Sequence, residues 1–218
     1  RIAVVGGTAE TVAQMVDHAK AINSERVVLV GPDIASDEKE AVSAVFAAAA
    51  VAGVIAGNTD PSVPINGAEL TLFGAAGKRL SDNEIDQLVR GGVTPIETVG
   101  GVSSPVRGIT TKTSSGGAAD TTWRELTTIL IVDEVIPTIR TSLRARFARS
   151  KNTAQSRGAI RSQVVLELEE MKSREIVDSY GEVKVSALKS DPTVCLVEFS
   201  FTVAHGLNRI YLTAHITV

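Results

Sequence analysis

The sequence predicts an α/β layer followed by an α+β domain, with the helices of the second part first and an antiparallel sheet last. Three observations carry this. Two short β-branched runs, at 2–5 and 26–30, flank a helical pattern. A long stretch from residue 122 to 172 repeats its apolar residues at helical spacing. After residue 183 the pattern switches to strict alternation of apolar and polar side chains.

In order along the chain, Ile2–Val5 ends at Gly6-Gly7, and Thr8 is the expected N-cap of a helix marked by Val12, Met15, Val16, Ala19 and Ile22. Arg26–Val30 closes at Gly31-Pro32, so strand, helix and strand form a βαβ unit with a parallel pair. A second helix is expected from an N-cap at Ser36 to about Ala56. Its apolar part, 41–57, is alanine-rich and shorter than the ~20 residues of a membrane span, which favours a closely packed helix. Residues 58–68 read as a loop and Glu69–Phe73 as a short strand. Ser81 and Glu84 form a capping box for a helix that stops at Gly91-Gly92. Residues 93–112 follow as strand, glycine turn and strand.

The Ser114–Gly117 stretch is the clearest break in composition and divides the chain into expected domains at 1–114 and 118–218. Thr122 and Glu125 have capping-box spacing. Leu126, Ile129, Leu130, Ile136, Ile139, Leu143 and Phe147 mark a long helix, which Pro137 is expected to kink or interrupt. A further helix covers about 154–172, with Ile160, Val164, Leu168 and Met171 on one face. Alternation then runs through Val183, Val185 and Ala187, through Cys195 to Val203, and through 209–218, with His205–Asn208 as the last turn.

Composition narrows the function. A net charge of −3 gives no global basic field for nucleic acid, and 4 % aromatic residues leaves little for base stacking. One cysteine, Cys195, makes neither an internal disulfide nor a cysteine metal cluster. The chain opens at Arg1 without an initiator methionine or a leader, which reads as part of a longer protein.

Catalytic patterns are missing. The Gly6-Gly7-Thr8 turn has neither the dinucleotide fingerprint nor the P-loop spacing, and a tight turn is the simpler reading. His18, His205 and His215 have neither metal-ligand nor triad spacing, and there is no G-x-S-x-G elbow. Cys195 falls on an apolar strand face. Glu167, Glu169 and Glu170 read as a solvated helix surface. No catalytic, cofactor or metal residues are assigned. The charge cluster of interest is Arg140, Arg144, Arg146, Arg149 and Lys151. It is read either as cations favoured at a helix C-terminus or as a basic stripe for an acidic protein partner.

The order of segments resembles contractile-tail sheath proteins of phages, prophages and related particles. The elements concerned are Val51–Ala56 with a polar loop holding Asp60, Pro64 and Asn66-Gly67, the Ser81–Arg90 helix, and Gly91-Gly92-Val93 with its hairpin. Gly108-Ile109-Thr110-Thr111, the Trp123–Leu126 helix start with Asp133, Arg144–Phe147, the helix through Leu166-Glu167 and the closing Ile210–Val218 complete the series. The resemblance implies a truncated subtilisin-like sheath domain, without a recognisable protease triad, followed by a C-terminal sheath domain near the tail tube. It further implies a non-enzymatic subunit of a sheath assembled in the host cytoplasm as a helical stack of six-membered rings, which contracts to drive the tube through an envelope. Partners would be other copies, the tail tube protein, and the baseplate and terminator proteins, without nucleic acid or membrane insertion. Arg140, Arg144, Arg146, Arg149 and Lys151 would face the tube. The alternating strand Arg209, Ile210, Tyr211, Leu212, Thr213, Ala214, His215, Ile216, Thr217 and Val218 either joins a neighbour's sheet or forms an internal hairpin with 193–204. The competing readings are another tail or baseplate protein and a small nucleotide-binding α/β enzyme.

Overall fold

The computed structural model describes residues 1–7, 11–31, 34–35, 41–42, 44–70, 80–208 and 213. The chain forms two compact units. The first comprises Arg1–Thr59, Val63–Ile129 and Gly206–Val218, and the second Asp60–Ser62 and Leu130–His205. The Ser114–Gly117 composition break falls inside the first unit, as the turn of a small hairpin.

The first unit begins with the expected βαβ motif. Strand β1 (Ala3–Gly6) pairs in parallel with β2 (Val27–Gly31), and helix α1 (Val12–Ile22) connects them. Thr8 lies outside the described residues. The helix is capped instead by Thr11, whose side chain accepts from the Gln14 N–H while Gln14 answers to the Thr11 N–H. The second helix also starts later than expected. Ile34–Ala35 (β3) pairs antiparallel with Ala41–Val42 (β4), and α2 is Ala44–Gly57. Ser36 lies outside the described residues, and the ladder just before Ala44 uses backbone groups that a longer helix would need.

Helix α3 (Asp82–Arg90) carries the Ser81–Glu84 capping box as read. Strands β5 (Val93–Val99) and β6 (Val102–Pro105) form the hairpin around Gly100-Gly101, both at positive φ. The sheet order is β1-β2-β5-β6, parallel except for β6. Of the 69–73 strand, Glu69 and Leu70 are not in a ladder, although the Leu70 N–H donates to Ser103, and 71–73 lie outside the described residues. Leu29 packs with Met15, Ala19, Leu88 and Val93, so one sheet face meets α1 and α3. The other face meets α2, where Gly6, the register partner of Val30, lies against Ala44.

Thr110 and Thr111 are fully buried and satisfied. The Thr111 N–H donates to Val27 and its hydroxyl to the Ser24 carbonyl, while the Thr110 N–H and hydroxyl donate to the Arg124 and Trp123 carbonyls. Ser114–Ser115 (β7) and Ala118–Ala119 (β8) follow. The Thr122–Glu125 capping box does not form. Glu125 is engaged by Arg107, and the Thr122 N–H turns back to Asp120.

Helix α4 (Leu126–Phe147) runs through Pro137 without interruption, so of the expected kink or break the break does not occur. Its buried stripe in the second unit is Ile131, Val135 and Ile139, with Ile136 and Leu143 only half-buried. The helix is apolar on several sides, so period alone did not select the face. Helix α5 (Ala154–Ser173), capped by Thr153, brings Val164, Leu168 and Met171 to the same core. Four strands complete the unit: β9 (Val177–Tyr180), β10 (Lys184–Ala187), β11 (Cys195–Glu198) and β12 (Phe201–Val203).

Tight packing against Gly6 yields a direct test. A methyl group there would sit 2.3 Å from the carbonyl carbon and oxygen of Ala44. Gly6→Ala is expected to lower unfolding free energy by about 1–3 kcal/mol in urea denaturation, because α2 must shift off β1.

Candidate assembly surface

Two features of the second unit stand out: a helical hairpin with a basic end, and a ribbon with open edges. The hairpin consists of two long helices joined by six residues, 148–153. Its apolar seam is Ile131, Val135 and Ile139 against Val164, Leu168 and Met171, and Gln163 donates to Ser142 across it at 3.0 Å.

Arg140, Arg144, Arg146, Arg149 and Lys151 are all exposed. Among the described residues none of the five is paired with a carboxylate; the ion pairs Lys20–Asp17, Arg90–Asp86, Arg107–Glu125 and Lys184–Glu182 lie elsewhere. In sequence the run of cations continues with Arg157 and Arg161 of α5, and from Val135 to Leu166 the chain contains no Asp or Glu. Helix α5 has no acidic residue in its first turn, where the helix dipole would favour one. Capping therefore does not account for the whole set.

The ribbon is one long antiparallel hairpin. Val177–Ala187 runs against Cys195–Val203 as two ladders, β9 with β12 and β10 with β11, and the Gly181 N–H donates to the Ser200 carbonyl between them. The register shifts between Thr202 and Val203. Val183, Val185, Val197, Phe199 and Phe201 pack on the helices, and the rings of Phe199 and Phe201 are stacked 6.2 Å apart. Among the described residues each strand has one ladder partner, so both outer edges of the ribbon remain open.

The C-terminal strand candidates 209–212 and 214–218 lie outside the described residues, and Thr213 is exposed and not in a strand. The segment just before them lies with the first unit. Asn66 donates to the Asn208 side chain at 2.8 Å and accepts from the Gly108 N–H at 3.3 Å, and Gly206 abuts Pro64. The sequence left 209–218 either to a neighbour's sheet or to a hairpin with 193–204, and that segment lies outside the described residues apart from Thr213; within them Cys195–Val203 is paired with 177–187.

The remaining candidates are dispersed. His18 and His205 are exposed, and His215 lies outside the described residues. Cys195 is half-buried in β11. The Gly7 N–H is bound to the Val30 carbonyl at 2.8 Å and is not available to a phosphate. Among the described residues no three His, Cys, Asp or Glu side chains are grouped to hold a metal, and no helix is long and apolar enough to cross a membrane.

Comparison with known proteins gives a consistent result. Residues 118–217 match the family model of the phage tail sheath C-terminal domain. A tail sheath protein of Bacillus phage SP01 is 30 % identical over 219 residues, covering 97 % of this chain and 37 % of its own length. Among solved structures, a sheath tail protein from Desulfitobacterium hafniense superposes with a TM-score of 0.70 at 14 % identity, over 93 % of this chain and 49 % of that one. The sheath of the PVC extracellular contractile injection system, solved in its contracted state, gives 0.71 at 15 % identity, over 98 % and 63 %. The chain therefore has the sheath-protein fold and spans about a third of the curated relative's length.

The anchor between ribbon and helix is open to spectroscopy. The Tyr180 hydroxyl donates to Glu169 Oε1, and this bond holds the phenol proton above the usual tyrosine range of 10.0. In an ultraviolet titration of a Tyr211→Phe variant, Tyr180 is expected to ionise above 10.0, and Glu169→Gln to return it towards 10.0. The bond's contribution to stability is present below pH 10 and lost as pH rises through the raised value.

Proposed function

We propose that the protein is a structural subunit of a contractile tail sheath, because residues 118–217 match the family model of the phage tail sheath C-terminal domain. Copies polymerise helically around the tail tube as stacked six-membered rings, and contraction drives the tube through a target envelope. The observation that carries this reading is the family match over 118–217, joined to a ribbon in that same segment whose edges are unpaired among the described residues.

An open edge takes up backbone hydrogen bonds from any strand of matching register. The alternating segment 209–218 of a neighbouring copy is the proposed strand. A contact of this kind, between different patches on two copies, does not close on itself and makes a helical polymer. Its two packings, extended and contracted, differ in free energy, and strand links let subunits move outward without separating.

The basic stripe of Arg140, Arg144, Arg146, Arg149 and Lys151 is proposed to face an acidic tube surface. All five are exposed, which supports an electrostatic docking role. The further proposed partners are the baseplate and tail terminator proteins. The proposed location is the virion tail, after assembly in the host cytoplasm, and the role is mechanical rather than catalytic.

Negative-stain electron microscopy of the protein expressed alone, and with the other tail proteins of its genome, tests the proposal. Hollow, cross-striated tubes are expected, and dispersed particles under both conditions would overturn it. Removing 209–218 should leave a folded, unpolymerised protein. Arg140→Glu with Arg144→Glu and Arg149→Glu should abolish tube-dependent assembly at unchanged thermal stability; unchanged assembly would overturn the tube-facing role.

A further inference from the structure

Residues 206–208 are seated on a short loop of the first unit, 64–67. A methyl group at Gly206 would lie 3.0, 3.1 and 3.2 Å from three carbons of the Pro64 ring, so the backbone crosses that ring closer than a side chain fits unless the ring gives way. Two residues on, the Asn208 side chain accepts from Asn66 Nδ2 at 2.8 Å. The other end of the same amide, Asn66 Oδ1, accepts from the Gly108 N–H at 3.3 Å.

The loop is itself firmly held. Ile65 is buried against Gly108. The Gly67 N–H donates to the Pro105 carbonyl and the Leu70 N–H to the Ser103 carbonyl, both at 2.9 Å, so the loop runs along β6. Gly67 has a φ of +70°, the left-handed conformation glycine adopts without strain. Asn58 donates to the Val63 carbonyl at 2.8 Å and closes the near side. The seated residues have no such cover. Leu207 is 70 % exposed and Asn208 is exposed, so among the described residues 206–208 are placed by the Pro64 and Asn66 contacts rather than by burial.

We propose that the Pro64–Asn66 loop is a latch for the base of the C-terminal segment, with Asn66 as the positioning residue that sets where 209–218 leaves the subunit and so which neighbouring copy it reaches. The inference rests on the proposed donation of 209–218 to a neighbour's sheet. Ten residues span at most about 33–36 Å when fully extended, so a fixed Asn208 confines the accepting edge to that radius. Without the latch the reach is counted from Ala204, whose N–H makes the last ribbon bond, to the Ile176 carbonyl. The tether is then four residues longer, and the effective concentration of its end at the neighbour's edge is lower. Holding 206–208 in advance also removes backbone freedom that association would otherwise have to take away.

The test is the protein concentration at which tubes form, read by sedimentation of the purified protein with the other tail proteins of its genome. Asn208→Ala and Asn66→Ala should each raise it about threefold, the scale of one net hydrogen bond. The melting temperature of the unassembled protein should not change. The double variant should be no worse than Asn66→Ala alone, because both substitutions remove the same bond. Asn208→Asp keeps an acceptor for Asn66 Nδ2 and should assemble like wild type. Gly206→Ala, which crowds the Pro64 ring, should raise the threshold as well.

If the wild-type protein forms no tubes, the sheath reading and the latch are both wrong. If it forms tubes and removing 209–218 changes nothing, the donated-strand reading is wrong and the latch with it. If that removal abolishes tubes while both alanine variants assemble at the wild-type concentration, only the latch is wrong. A threshold raised equally by Asn208→Asp, or effects of the two alanine substitutions that add, also overturns the latch, since the loss then does not run through the Asn66–Asn208 bond.

Discussion

The apolar seam between α4 and α5 is the contact on which the second unit depends. Ile131, Val135 and Ile139 meet Val164, Leu168 and Met171 there, and all six are nearly or fully removed from water. Each such side chain contributes roughly 1.5–3 kcal/mol on burial. The ribbon contributes Ile176, Val177 and Val183 to the same cluster and cannot stand without it, because a two-stranded ribbon alone is at best marginal in water. The seam therefore supports a ladder whose outer edges need not be paired for the unit to fold.

That arrangement separates stability from assembly. The buried face of the ribbon holds the unit together, while its outer edges have no ladder partner among the described residues. The cations follow the same division. Those of α4 and the connection lie on exposed positions outside the core, where a charge makes little difference to folding but sets the sign of the surface field. With no acid between Val135 and Leu166, that field has no local counter-charge in sequence.

The first unit is held by closer and more polar contacts. Gly6 allows the start of α2 to lie on β1, and Thr110 and Thr111 use both backbone and hydroxyl groups to bind segments that do not form a regular ladder. Such buried hydroxyls are tolerable only because each finds a partner. Asn66 then ties Asn208 to the same region, so the C-terminal segment departs from a defined point.

Local rules determined much of this from sequence alone. The parallel βαβ start, the Ser81–Glu84 box, the Gly100-Gly101 hairpin and the extent of α5 are all set by residues within a few positions of each other. The five basic positions were legible as a cluster because exposure needs no partner. Tertiary structure decided the rest. Glu125 was drawn to Arg107 rather than to Thr122, and α4 passed through Pro137. Cys195–Val203 found 177–187, and Asn152 joined a loop to a turn 40 residues away. The physical reason is common to these cases. Periodicity and capping are short-range, whereas the partner of a strand edge, a carboxylate or an amide is chosen by which groups the collapsed chain brings together.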